Sequence, residues 1–233
     1  MATQSVKPVY FFHIPKTSGR FFTINTTVLL EHELLNRGIQ YKNILKAYGH
    51  RSFEPVDSVD MLGYTFLRDP VARTISHWLH IYENQLTGSM MADKKKLFNF
   101  LHANPTDPLI DYQTKFIVNN GGESPIDIVR CPSFVKNISS SDFALAQSRL
   151  SKLTYIFDQK DQGDNLRYKF LDILYAHFEI TPTVPNTVNI KYHIGNNDSL
   201  RLHSTLSDSE ILEMQDLLKN DMNLYNSVTF SKL

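Results

Sequence analysis

The sequence predicts an α/β domain, a mostly parallel sheet flanked by helices, because it repeats one plan twice. An apolar run at Val9 to Ile14 stops at a turn and gives way to helical spacing. A second apolar run at Met61 to Leu67 does the same. Strands joined in register through helices are parallel, and helices then cover the sheet. Length agrees: 233 residues with 42% hydrophobic content suffice for one core, so the chain reads as a single domain over residues 1–233.

The elements follow in order. Phe21, Ile24, Val28, Leu29 and Leu35 lie at near-helical spacing between Arg20 and Arg37, and Gly38 stops that helix. Ile39 to Leu45 reads as a short second strand, leading into a loop from Ala47 to Pro55. After Met61 to Leu67, Asp69 is an N-cap and Pro70 the first residue of a helix. Asp93 to His102 and Leu109 to Val118 read as short helices of an insertion. Asn119 to Ser140, with Gly121-Gly122, Pro125 and Pro132, reads as a loop. Phe143 to Lys152 is helical after a serine cap, Leu153 to Phe157 a strand, and Asp164 to Phe178 an amphipathic helix. Thr181 to Asn197 is a proline- and asparagine-rich loop. Ser207-Asp208-Ser209-Glu210 is a capping box opening a last helix, with Ile211, Met214, Leu217 and Leu218 on its buried side.

The chemistry gathers at the two crossings from strand to helix. The first, Pro15-Lys16-Thr17-Ser18-Gly19, has the makings of an anion site, because unpaired N–H groups and the positive end of a helix dipole converge there. Lys16 adds a full charge, Pro15 fixes the backbone, and Gly19 lets a ligand approach without a Cβ in the way. It is not a Walker A loop, in which the lysine follows the glycines. At the second crossing Arg68 ends its strand, where open α/β sheets gather ligands, and Ser76 lies on the second turn of the next helix. Asp69 reads as a cap only.

These two segments resemble the cofactor-binding signatures of the sulfotransferases that use 3′-phosphoadenosine 5′-phosphosulfate. Within that family the chain is most similar to the branch of uronyl and heparan-sulfate 2-O-sulfotransferases and their small bacterial relatives. The resemblance implies a P-loop-like three-layer fold. It implies that Pro15, Lys16, Thr17, Ser18 and Gly19 hold the 5′-phosphosulfate, and that Arg68, Asp69, Pro70, Arg73 and Ser76 supply the grip on the 3′-phosphate. Tyr48-Gly49-His50 resembles the family segment carrying a catalytic histidine, so His50 is the expected base and Lys16 the expected partner of the departing phosphate. Tyr112 to Phe116 resembles a family Q-T-R helix. Leu153 to Asp158 and Asp221 to Tyr225 fit family positions too. One departure is Arg20-Phe21, where the family usually has threonine or serine; Arg20 replaces hydroxyl contacts with charge or faces solvent.

Charge excludes other classes. Lysine plus arginine equal aspartate plus glutamate at 24 each, so no global basic field points to nucleic acid or a membrane surface. Lys94-Lys95-Lys96 reads as a solvated helix face. One cysteine, Cys131, cannot form an internal disulfide and fits a reducing compartment. With no apolar leader-like run at Met1 to Pro8 and no long apolar span, a cytoplasmic protein is expected, in which the sequons at Asn25, Asn137 and Asn197 are chance matches. His13 reads as a packed residue, and His77 with His80 lacks a third ligand for a metal. The expected partner is a hydroxyl-bearing acceptor, a saccharide by resemblance; oligomeric state is not specified. A nucleotide-dependent kinase and a non-catalytic nucleotide- or glycan-binding module are the alternatives.

Overall fold

The structure is a computed structural model that describes residues 8–17, 30, 33–38, 45–46, 62–82, 89–119, 137–159, 164–181 and 198–231. Four strands form its sheet: β1 (Val9–Phe12), β2 (Leu45–Lys46), β3 (Leu62–Leu67) and β4 (Tyr155–Asp158). Their order is β2-β1-β3-β4 and every pairing is parallel, with Val9 opposite Leu45 and Leu62, and Tyr64 opposite Tyr155. The chain moves from β1 to one side of the sheet and returns for β3 on the other. That reversal is a topological switch point, and it falls between the two strands that the sequence singles out.

Side chains alternate across the sheet as a period of two requires. Val9 and Phe11 join Tyr64, Phe66 and Phe157 on one face, beneath Leu30, Leu34 and the helix Asp164–His177. Tyr10, Phe12 and Leu67 join the opposite face, under the helices Tyr112–Val118, Ser140–Leu150 and Lys219–Ser227. All residues of β1 and β3 are buried, as expected of parallel strands covered on both sides. A third cluster, built from Val71, Ile75, Trp78, Leu97, Leu101, Met214 and Leu218, packs helices on one another. It joins α1 (Pro70–Tyr82) and α2 (Met90–Ala103) to α6 (Asp198–Ser204) and α7 (Asp208–Leu217); the intervening helices are α3 (Tyr112–Val118), α4 (Ser140–Leu150) and α5 (Asp164–His177), and the last is α8 (Lys219–Ser227).

Element boundaries differ from expectation where a local hydrogen bond decides them. β1 ends at Phe12 rather than Ile14, because the carbonyls of Phe12 and Ile14 are taken by the hydroxyls of Thr65 (2.6 Å) and Thr17 (2.7 Å). α2 starts at Met90, since Ser89 accepts the Ala92 N–H and caps it. The helix expected from Leu109 begins at Tyr112, because Asp111 has φ 53° and interrupts the run. Ser139 closes a capping box with Asp142, so α4 begins at Ser140. The expected capping box at Ser207 and Glu210 is present, and Gly38 at φ +71° follows the helical residues 33–35. The expected second strand is described only at Leu45–Lys46. Most of the two expected loops, Asn119 to Ser140 and Thr181 to Asn197, lies outside the described residues (120–136 and 182–197), as does Cys131. Among the described residues no helix is long and apolar enough to cross a membrane.

Candidate anion site at the switch point

At the first crossing the chain leaves β1 through a turn of Ile14, Pro15, Lys16 and Thr17. The Thr17 N–H donates to the Ile14 carbonyl at 3.4 Å, and Lys16 has φ 65°. Proline second and positive φ third is the pattern of a type II turn, in which glycine normally takes the third place. A lysine there holds a backbone conformation that costs of order 1–2 kcal/mol, so the surroundings must enforce it. They do so from several sides. Fully buried Thr17 turns its hydroxyl back onto Ile14, Arg73 directs Nε at the Pro15 carbonyl (3.4 Å), and Arg68 directs Nη1 at the Lys16 carbonyl (3.4 Å). Both arginine contacts are long for bonds to a charged donor, whose usual length is about 2.7–2.9 Å.

The second crossing is built from its own sequence. Asp69 accepts the Ala72 N–H at 2.8 Å, and its carbonyl accepts the Arg73 N–H at 2.9 Å, so Pro70 opens α1 as predicted. Arg68 is 8% exposed, at the carboxyl end of β3. Burial pulls its guanidinium pKa down to about 10, with Asp69 opposing. Arg73, one turn into α1, is fully enclosed. Its guanidinium lies 3.9 Å from the centre of the Tyr112 ring, and Nη2 contacts His77 Nδ1. Since arginine only donates, Nδ1 accepts and the His77 proton sits on Nε2. Burial likewise pulls Arg73 to about 10, Tyr112 and Asp221 opposing and Arg68 adding to the fall. Burial raises the Tyr112 phenol, so it stays neutral under the cation.

Two buried guanidiniums therefore meet at the carbonyls of one turn, whose third residue is Lys16. No carboxylate stands within ion-pairing distance of either guanidinium among the described residues, and Arg73 Nη1 has no hydrogen-bond partner. Such an arrangement favours a bound anion, because buried charge is costly unless it is paired. Ser76 is half-buried on α1, three residues beyond Arg73. Pro15, Lys16, Thr17, Arg68 and Arg73 are thus brought together. Ser18, Gly19, Arg20 and His50 lie outside the described residues.

The segments Tyr112 to Phe116 and Asp221 to Tyr225, which the resemblance marks, support this cluster, a role that the sequence does not assign to them. Tyr112, Gln113 and Thr114 open α3 beneath both arginines, and Asp221 from α8 accepts the Gln113 N–H (3.0 Å), the Thr114 N–H (2.7 Å) and the Thr114 hydroxyl (2.7 Å). Nothing local in the sequence pairs Gln113 and Thr114 with Asp221, which lies over 100 positions further along the chain. His13 is half-buried just past β1 and stacks on Phe11; His77 is buried and His80 exposed. Among the described residues no three His, Cys, Asp or Glu side chains group as metal ligands. Of the lysine run, Lys94 pairs with Glu210 at 2.9 Å while Lys95 and Lys96 are exposed. A cleft of about 410 Å³ between the start of α4 and α8, lined by Phe143 and Asn223 among others, includes none of the anion-site residues.

Fold and site together define a parallel α/β protein with a cationic turn at its switch point. Compared with known proteins, the chain matches no family model, and no curated protein matches it significantly.

Proposed function

We propose that the chain is a sulfotransferase that moves the sulfuryl group of 3′-phosphoadenosine 5′-phosphosulfate to an acceptor hydroxyl, on a P-loop-like three-layer fold. The observation that carries this reading is the concentration of Lys16, Arg68 and Arg73 at one turn, with Arg73 Nη1 buried and unpartnered. The donor set fits a ligand with anionic groups at two ends. Lys16 and the turn after β1 receive the 5′ end; Arg68 and Ser76, with the charge of Arg73 beneath, receive the 3′-phosphate. A carbohydrate is the acceptor class that the sequence resemblance implies.

The nucleotide supplies the activated sulfuryl group. The residues supply position and charge, which dominate catalysis of transfers of this kind. Lys16 stabilises negative charge growing on the leaving phosphate oxygen. His50 accepts the proton that the acceptor hydroxyl loses, a task suited to an imidazole with an ordinary pKa of about 6.5.

Calorimetric titration with adenosine 3′,5′-bisphosphate tests the binding half. Saturable binding is expected, together with acceptor-dependent release of that product from the sulfated nucleotide. Lack of binding overturns the reading, whereas binding with unchanged turnover in His50→Ala removes only the base. Tight binding of ATP with magnesium and weak binding of the bisphosphate would favour a kinase instead.

A further inference from the structure

Gln113 has no role in the reading above, yet its side chain is 1% exposed and touches the backbone of Arg68 twice. Its Oε1 accepts the Arg68 N–H at 3.1 Å, and its Nε2 donates to the Arg68 carbonyl at 2.9 Å. A strand would pair with its neighbour in this way. The ladder between β3 and β4 ends at Leu67 opposite Asp158, and the Leu67 carbonyl accepts the Gln159 N–H at 2.8 Å. Gln113 thus fixes the backbone one residue past the point where strand pairing stops. Arg68 is the residue it fixes.

The clamp is itself anchored. Asp111 is in the left-handed region and gives α3 no side-chain cap. Asp221 takes that place from α8 by accepting the N–H groups of Gln113 and Thr114, while its own N–H donates to Asp111 at 3.0 Å. An arginine carries a long, rotamer-rich side chain, so the direction in which its backbone leaves the sheet decides where the guanidinium can reach.

We propose that Gln113 is a positioning residue: by clamping the Arg68 backbone it aims the guanidinium at the 3′-phosphate of the bound nucleotide and sets selectivity for nucleotides that carry that phosphate. The inference rests on the proposed function. Its test is titration of the full chain and of Gln113→Met, Arg68→Ala and the double variant with adenosine 3′,5′-bisphosphate and with adenosine 5′-monophosphate, alongside thermal melting.

Gln113→Met keeps length and loses both bonds. It should weaken the bisphosphate roughly tenfold or more, the scale of small positional errors, and leave the monophosphate unchanged. In the Arg68→Ala background it should add nothing, since two residues acting through one contact are not additive. Gln113→Asn, which withdraws the amide by one methylene, should give the same selective loss and replaces the methionine variant if that does not fold. Equal weakening of both nucleotides, unchanged bisphosphate affinity, or full additivity with Arg68→Ala overturns the role of Gln113 while leaving the functional reading standing. A wild-type chain that binds neither nucleotide overturns both.

Discussion

At the crossing after β1, the carbonyls of Pro15 and Lys16 meet side chains that arrive from β3 and α1, and Lys16 sits at φ 65°. At the crossing after β3, Asp69 and Pro70 form the helix start from adjacent residues, and Gln113 secures the strand end. The first turn is held in a strained shape by distant parts of the chain, and the second is mostly specified where it stands. The contacts that impose this strain keep the Lys16 backbone at one defined geometry, a condition that pre-organised anion sites require. The second crossing also supplies the arginines that impose it, so the turns are one unit.

Removing the charge at the strained turn should have the largest effect. Lys16→Ala is expected to weaken adenosine 3′,5′-bisphosphate by about 100-fold, the scale of a lost charge-assisted bond, with melting temperature nearly unchanged. Wild-type affinity in that variant would separate the turn from nucleotide binding. Arg73→Met removes the guanidinium from Tyr112 and from the Pro15 carbonyl, and should destabilise the fold by about 2 kcal/mol in denaturant unfolding. Arg73→Lys should not restore it, because an ammonium cannot stack flat on the ring. A fully stabilising lysine would show that charge alone matters here.

Asp221 links the support to pH. Burial, then the neighbouring Asp111, raises its carboxyl pKa above the ordinary carboxylate value, while Arg73 and the Thr114 bonds oppose the rise. A raised acid contributes stability that is complete below its unfolded value of about 4 and is lost as pH rises through its higher folded value. Unfolding free energy should therefore fall across that window. Asp221→Asn should flatten the fall and cost about 1–3 kcal/mol near pH 4, because an amide N–H₂ then faces the Gln113 N–H. An unaltered pH slope would assign the titration elsewhere.

The self-capped crossing should yield less. Asp69→Ala is expected to cost about 1 kcal/mol, read as a lowered denaturant midpoint. The smallest effect tests strain directly: Lys16→Gly should match or exceed Lys16→Ala in stability by up to about 1 kcal/mol, since glycine accepts positive φ. A glycine variant clearly less stable than the alanine one would show that the turn is not strained.

Much of this architecture is legible in the chain. The strands at Val9 and Leu62, the Asp69-Pro70 start, the Gly38 stop and the Ser207 capping box depend on neighbours in sequence, so period, proline geometry and cap chemistry expose them. Lys16 and Arg68 are also nameable, since they follow strand ends, while Arg73 is marked only by the family resemblance. Their arrangement is not legible. That Arg73 is enclosed against Tyr112, or that Asp221 caps a helix over 100 positions earlier, involves groups far apart along the chain, and no local pattern encodes such a contact.

Local hydrogen-bonding and apolar periodicity determined which segments become strands and helices and put cations at the ends of two strands. Only the folded chain decided that those ends are neighbours across a switch point, that the Lys16 backbone is held left-handed by guanidiniums, and that Gln113 finishes the strand. The physical reason is that burial makes unpaired polar groups expensive, and which groups are buried together is a property of packing rather than of sequence order.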